Sequence, residues 1–300
     1  AITALEGKGV CGHLNVNVLP GIYNEQVEIN QIPGTADTAV VTFQSSTGNY
    51  EDASLEFNAS SSSQYHTLKF NGASHIVFKN LSIRALHSFG GWTVHVFGDN
   101  NSHILIDSCY LETDTTATSD VNCAVVINGH NALLEPGGLS SNISISNCIV
   151  KAGGYGIVAS GPQDTMINTN NSATNNTITD YYRGGFWLMN TAGFTAAENT
   201  IHLNYSPAPS YGVLGENITN CLISKNDIIA DYAGIRLEGT DIDNQDSGNT
   251  LDSNSIAGYW AYGVDLEFQN NITVSNNTIT GKDTSTYSDG IRARDVSDIY

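Results

Sequence analysis

Charge is scarce in this chain, and basic charge is scarcest. Charged residues make up 14% of the 300, with 11 Lys and Arg against 30 Asp and Glu, a net charge of −19. Phosphate binding needs a basic face, so this balance argues against a nucleic-acid partner. An acidic, Lys-poor surface suits a secreted or salt-tolerant protein, although plain solubility explains it equally. Proline is nearly absent, with 6 residues against 29 Gly. That suits many short strands joined by tight turns. No apolar run reaches the length of a membrane span. The five cysteines (Cys11, Cys109, Cys123, Cys148 and Cys221) are scattered, and no C-x-x-C pair is present. A zinc site is therefore not indicated, and an odd count prevents complete pairing within the chain; buried free thiols are the expected state. Gly-x-Gly-x-x-Gly and Gly-Lys-Ser/Thr are missing, so no nucleotide is implied. There is no signal peptide, and Ala1-Ile2-Thr3 fits either a removed leader or an expression boundary.

What the chain has in abundance is repetition. Asn226-Asp227-Ile228 precedes Gly234-Ile235-Arg236-Leu237-Glu238, and the pattern returns as Asn254-Ser255-Ile256 with Gly263-Val264-Asp265-Leu266-Glu267, then as Asn277-Thr278-Ile279 with Gly290-Ile291-Arg292-Ala293-Arg294. Read backwards, the apolar anchor falls at Ile83, Leu111, Ile149, Ile178, Ile201, Ile228, Ile256 and Ile279. Six of the eight units carry Asn two places earlier: Asn147, Asn176, Asn199, Asn226, Asn254 and Asn277. A repeat this short signals a solenoid. Its local period is two, as in Asn142-Ile143-Ser144-Ile145, so each unit reads as one coil of short strands. The Asn is expected at a sharp turn, where it tolerates left-handed dihedrals and can bond its counterparts in neighbouring coils.

These Asn-x-Ile and Gly-[Ile/Val]-x-[Leu/Ala] units resemble the right-handed parallel β-helix superfamily, which includes pectate lyases and many secreted bacterial repeat proteins. The resemblance covers nearly the whole chain and implies an all-β solenoid of about ten coils; the handedness also follows from the bias of parallel crossovers. Residues 1–13 are read as an N-terminal cap containing a short helix, with Thr3 as its capping residue and Gly7 and Gly9 as breakers. Residues 14–300 are read as the β-helix. Val18-Leu19-Pro20-Gly21-Ile22-Tyr23-Asn24-Glu25 is similar to the opening coil of pectin-esterase-like and secreted Bacteroidetes β-helix proteins. The Gly-x-x-Asp-Phe-Ile-Phe-Gly segment of those esterases is missing. So are the Trp-x-Asp-His of pectate lyases and the paired Asp and Gly-His-Gly of polygalacturonase-like hydrolases. Val296-Ser297-Asp298-Ile299-Tyr300 matches the start of another coil, so the expectation is that the polypeptide continues, or that a further domain or second copy covers this end.

Alternate residues of the Gly-anchored strand face outward. One outward column reads His95, Val126, Val158, Trp187, Leu214, Arg236, Asp265, Arg292. The next reads Phe97, Asn128, Ser160, Met189, Glu216, Glu238, Glu267, Arg294. In the resembled superfamily this strand faces the polysaccharide groove. That makes Trp187, Glu216, Arg236, Glu238, Tyr262, Asp265, Glu267, Arg292 and Arg294 the candidate substrate-binding residues, with His95, Arg236 and Arg292 as catalytic candidates. The competing reading is a charge ladder, in which Glu and Arg neutralise each other across coils. Aromatics crowd the loop before the strand, and Tyr155, Tyr211 and Tyr262 share one register. They suit sugar rings, or simply close the coil corner. Asp241, Asp243 and Asp246 make a loop able to offer oxygen ligands to Ca2+, though an acidic turn has the same composition.

Three functions stay open. One is a secreted or cell-surface bacterial module that binds polysaccharide without cleaving it, or forms part of a larger adhesin or fibre. Another is a polysaccharide lyase on an acidic glycan, with an Arg neutralising the uronate and His95, a Tyr or an Arg taking the C5 proton. The last is a structural rod assembled end to end. Missing catalytic motifs favour the binder.

Overall fold

The computed structural model describes the chain apart from residues 62–63, 88–89, 132–136, 164–168, 204–208, 242–244 and 283–287. The chain winds as a right-handed parallel β-helix with three parallel sheets. The first sheet runs from Leu14–Val18 to Ser297–Ile299, the second from Gly21–Asn24 to Thr278–Thr280, and the third from Val27–Asn30 to Asp289–Arg294. The second and third sheets hold 10 strands each. Strands that neighbour each other in a sheet lie one coil apart in the sequence. Leu68, Val94, Val125, Ile157, Phe186, Val213, Ile235 and Val264 point inward in one column and are fully buried. Aromatic rings fill the wider places: Phe43 stacks on Phe78 at 4.9 Å, and Phe186 meets Phe194 edge-on at 6.3 Å.

The Asn beat is a ladder between the first and second sheets. Asn176, Asn199, Asn226 and Asn254 are each 1% exposed. Each side-chain oxygen accepts the backbone N–H of the corner residue one coil earlier: Cys148 to Asn176 at 2.9 Å, Asn176 to Asn199 at 2.9 Å, Asn199 to Asn226 at 3.0 Å and Asn226 to Asn254 at 3.1 Å. These residues do not take the left-handed dihedrals themselves. The residue just before each one does, at Asn175, Glu198, Lys225 and Ser253, as does Asn276 before Asn277, with φ between 54 and 59°. In one coil the expected register is off by a residue. Val150, not Ile149, pairs with Leu111 and Ile178, and Asn147 is the left-handed residue of that corner. Cys148 holds the ladder position there, as Cys109 does one coil earlier. Both thiols are buried and donate to main-chain carbonyls, and Cys11 alone is exposed.

The Gly beat has a packing cause. A Cβ on Gly156, Gly185, Gly212, Gly234 or Gly263 would sit 2.2 to 2.5 Å from the Cγ2 of Ile178, Ile201, Ile228, Ile256 or Ile279. The Ile anchor of the following coil thus lies directly on each Gly, which is why the two beats travel together. Gly212→Ala should lower stability by about 2 kcal/mol through overpacking. A lowered urea midpoint would show it, and an unchanged midpoint would refute the packing account.

At the N-terminus a helix spans Ile2–Lys8 and lays Ile2 and Leu5 against the core. Its N-cap is Ala1, without a side-chain cap bond, so Thr3 lies inside the first turn. Gly7 is helical; Gly9, at φ 71°, ends the helix, and Val10 N donates to Pro33 O at 2.8 Å. No helix among the described residues is long and apolar enough to cross a membrane.

Candidate functional site

The third sheet's register builds the outward face coil by coil. Lys69, His95, Val126, Val158, Trp187, Leu214, Arg236, Asp265 and Arg292 form one column. Ser160, Met189, Glu216, Glu238, Glu267 and Arg294 form the next. A third column holds Trp92, Cys123, Tyr155, Gly184, Tyr211, Ala233 and Tyr262. From Tyr155 to Tyr262 it alternates a ring with a small residue, so each ring can lean over the coil beside it. Tyr155 does so over Gly184, where a Cβ would lie 3.0 Å from Tyr155 Cδ1.

The apolar half of this face is not a surface. Trp92, Cys123, Val126, Tyr155, Val158, Trp187 and Leu214 form a second buried cluster outside the coil interior. Trp187 is 7% exposed, stacks on Tyr155 at 4.9 Å, and donates from Nε1 to Glu216 Oε2 at 2.7 Å. It is a packing residue and not an open platform for a sugar. His95 is fully buried and lies 2.8 Å from Asn128 Oδ1 through Nε2. Burial pushes its pKa down to about 3, with the nearby His66 and Lys69 adding to the effect against the Asn128 contact. His95 is therefore enclosed within the protein, away from the exposed part of the face. Period-two alternation marks these residues as outward but carries no signal for the cover that buries them.

The charged half is partly exposed and largely paired with itself. Arg292 donates to both carboxylate oxygens of Asp265, at 2.8 and 2.5 Å, and its guanidinium lies 3.6 Å over the ring of Tyr262. Arg236 donates to Glu238 at 2.6 Å and lies 3.7 Å from both Asp265 and Glu267. Arg294 pairs with Glu267. Asp265 has no exposed side-chain surface. Burial opposes the charge on Arg236, but Glu238, Tyr211 and Asp265 outweigh it and raise its pKa. Neutralisation of this kind is not special to the third sheet. On the second sheet Arg84 pairs with Glu56 at 3.3 Å and with Glu112 on the other side. Charge alone thus does not mark a ligand site.

What sets the third sheet apart is an aromatic ridge along the charged strip. Tyr232 takes Tyr211, Trp260 and Tyr262 edge-on at 5.5, 5.0 and 5.8 Å. Trp260 is 44% exposed. Of the expected binding residues, the structure brings together Arg236, Glu238, Tyr262, Asp265, Glu267, Arg292 and Arg294, with Glu216 at the margin beside Trp187.

Two of the three carboxylates of the acidic loop are described, and they lie in different surroundings. Asp243 lies outside the described residues, Asp241 is exposed, and Asp246 is 1% exposed in a strand, where Gln269 Nε2 donates to it at 3.2 Å. Among the described residues, the group with three convergent ligand atoms is Asp37, His75 and His103, all within 4.8 Å of one another. Sequence reasoning missed it. The available signal was Ser74-His75-Ile76 followed one coil later by Ser102-His103-Ile104.

Over residues 94–297 the sequence matches the family described as periplasmic copper-binding protein (NosD). The chain belongs to the NosD family. A comparison with curated proteins finds no match. Among solved structures, the chain is similar to an alginate lyase from Paenibacillus (TM-score 0.69, 12% identity, 97% of this chain and 95% of that one). It is also similar to the Dettilon tailspike protein (0.66, 16%, 98% and 54%) and to the Streptococcus pneumoniae surface protein and adhesin PfbA (0.57, 13%, 100% and 92%). At these identities the likenesses speak to the fold. The NosD description names copper. Two imidazoles and a carboxylate are a nitrogen and oxygen donor set that suits Cu(II), so Asp37, His75 and His103 fit that ion. Asp37 and His75 lie before residue 94, outside the span that matches the NosD family.

Proposed function

We propose that this NosD-family chain is a polysaccharide-binding β-helix module acting outside the cytoplasm, at the periplasm or cell surface. Its glycan would lie along the charged half of the third sheet. The observation that carries this reading is the exposed Trp260 on the Tyr211–Tyr232–Tyr262 ridge, set beside a strip of alternating guanidinium and carboxylate groups. Aromatic rings offer an apolar face to sugar C–H groups. Each guanidinium has five donors, more than its ion pairs use, and the partly exposed carboxylates of Glu238 and Glu267 have lone pairs for hydroxyls. The fold shared with an alginate lyase and a surface adhesin supports the same reading.

The lyase reading is favoured by one contact, the Tyr262 hydroxyl held by Arg292 Nη1. That places a phenol and a cation together, as proton abstraction beside a uronate requires.

Affinity electrophoresis through gels loaded with neutral and uronate polysaccharides tests the proposal. Retardation by at least one glycan is expected, weakened about tenfold (about 1.4 kcal/mol) by Trp260→Ala. No retardation across the panel, or full retention of binding in the variant, would sink it. Ultraviolet absorbance of an unsaturated product, lost in Tyr262→Phe, would replace it with the lyase.

A further inference from the structure

The corner between the third and first sheets carries a column of left-handed residues. It reads His75, His103, Asn142, Asn170, Gly193, Asn220, Gly248, Asn271 and Asp298, with φ between 49 and 72° throughout. Seven of the nine are Gly, Asn or Asp, which this conformation favours. The other two are histidines on consecutive coils. Their rings lie parallel, 4° apart in tilt, with centroids at 4.6 Å. His75 Nε2 is 3.1 Å from Asp37 Oδ1, while Nδ1 is buried without a protein partner.

Asp37 is not there by the accident of a loose loop. It stands at the tip of a two-residue turn closed by Ala36 and Ala39, whose backbones bond each other at 3.3 and 2.8 Å. The turn is tied to the coil of His75 through Ser74, whose hydroxyl lies 3.3 Å from Thr35 Oγ1 and donates to Gln31 Oε1 at 3.2 Å. Three successive coils therefore each deliver one donor to the same corner, and the coil spacing of about 4.8 Å sets their separation.

We propose that Asp37, His75 and His103 form a binding site for a divalent transition-metal ion, with Cu(II) bound most tightly. Imidazole and carboxylate together suit borderline divalent ions, and the affinity order among these ions peaks at Cu(II). Metal–nitrogen bonds of about 2 Å require donors to close to about 3 Å of one another. The exposed Asp37 and His103 can make that movement by side-chain rotation, while the pinned backbones keep the site assembled. The chain's net charge of −19 favours cations over anions at its surface. The site lies on a different corner from the aromatic ridge and does not depend on glycan binding.

The column supplies its own control. Asn is the corner's commonest residue, so His75→Asn and His103→Asn remove the ligands while keeping the backbone preference. Titration of the protein with Cu(II), followed by calorimetry and electron paramagnetic resonance, should show one equivalent bound with nitrogen superhyperfine structure. His103→Asn and Asp37→Asn should each weaken binding at least tenfold (about 1.4 kcal/mol), with circular dichroism unchanged. The His75→Asn/His103→Asn double variant should lose the nitrogen signature. No bound Cu(II), or a double variant that binds as tightly with the same spectrum, would overturn the site. Trp260→Ala should leave the copper titration as it is, so failure here and failure of the glycan reading are separable.

Discussion

Asp246→Asn should make the protein more stable at pH 8 by up to about 4 kcal/mol. Asp246 is 1% exposed, and its Oδ1 is buried with no hydrogen-bond partner. Burial pushes its carboxyl up to about 7, against the pull of the Ile218 backbone and the Gln269 side chain. An unfolded aspartate titrates near pH 4. Between about pH 4 and 7 the unfolded chain has released the proton and the folded chain still holds it. Stability from this group is therefore full below about pH 4 and falls as the pH rises toward 7. Above that the carboxylate is charged in both states and the penalty is constant. The amide keeps the shape and has no such proton to lose. Urea midpoints measured at pH 5 and pH 8 should fall between the two in the native protein more than in the variant. Equal pH slopes would show that Asp246 ionises in the fold without penalty.

This residue also shows where the sequence stops being informative. Asp241-Ile242-Asp243-Asn244-Gln245-Asp246 reads as one acidic turn, because composition does not distinguish a carboxylate in solvent from one folded back into a strand. The repeat itself was legible because each beat has a local physical cause. Asn occupies the ladder and Gly receives the Ile methyl of the next coil. The slip at Ile149 arose because the same corner has two adjacent positions that accept Asn, the ladder rung and the left-handed residue before it. With Cys148 on the rung, Asn147 was the only Asn to align.

The site was legible in register and not in exposure. Period-two alternation places His95, Trp187, Arg236 and Asp265 on one outward face, and the strand pairing puts them there. It could not tell that Trp187 and His95 are covered while Trp260 stays open, because cover comes from segments outside the period. The histidine pair was visible as a repeated Ser-His-Ile. Its meaning depends on seeing that the rest of the column is Asn, Gly and Asp, and Asp37 joins it only through a turn in the preceding coil.

Asn226→Ala should destabilise the fold by about 4 kcal/mol, since several buried polar groups lose partners at about 1–3 kcal/mol each. Asn226 Oδ1 accepts from Asn199 N at 3.0 Å and from Asn199 Nδ2 at 2.9 Å. Its Nδ2 donates to Ala196 O at 2.9 Å and to Asn254 Oδ1 at 3.0 Å. Truncation strands two donors and a carbonyl, all on the preceding coil. Asn226→Asp is a sharper probe, because it turns the donor end into an acceptor facing Ala196 O and Asn254 Oδ1, and should be at least as harmful at neutral pH. Asn277→Ala is the comparison: Asn277 accepts from Asn254 N and Nδ2, both at 2.9 Å, and donates to Leu251 O, but it is only part-buried, so water can take over its bonds. It should cost about 1 kcal/mol. Urea midpoints read the difference, and hydrogen exchange locates it. In a solenoid each coil is coupled to its neighbours, so protection should fall first at the amide of Asn199 and spread outward. Equal losses for Asn226→Ala and Asn277→Ala would mean that burial of the ladder adds nothing to its strength.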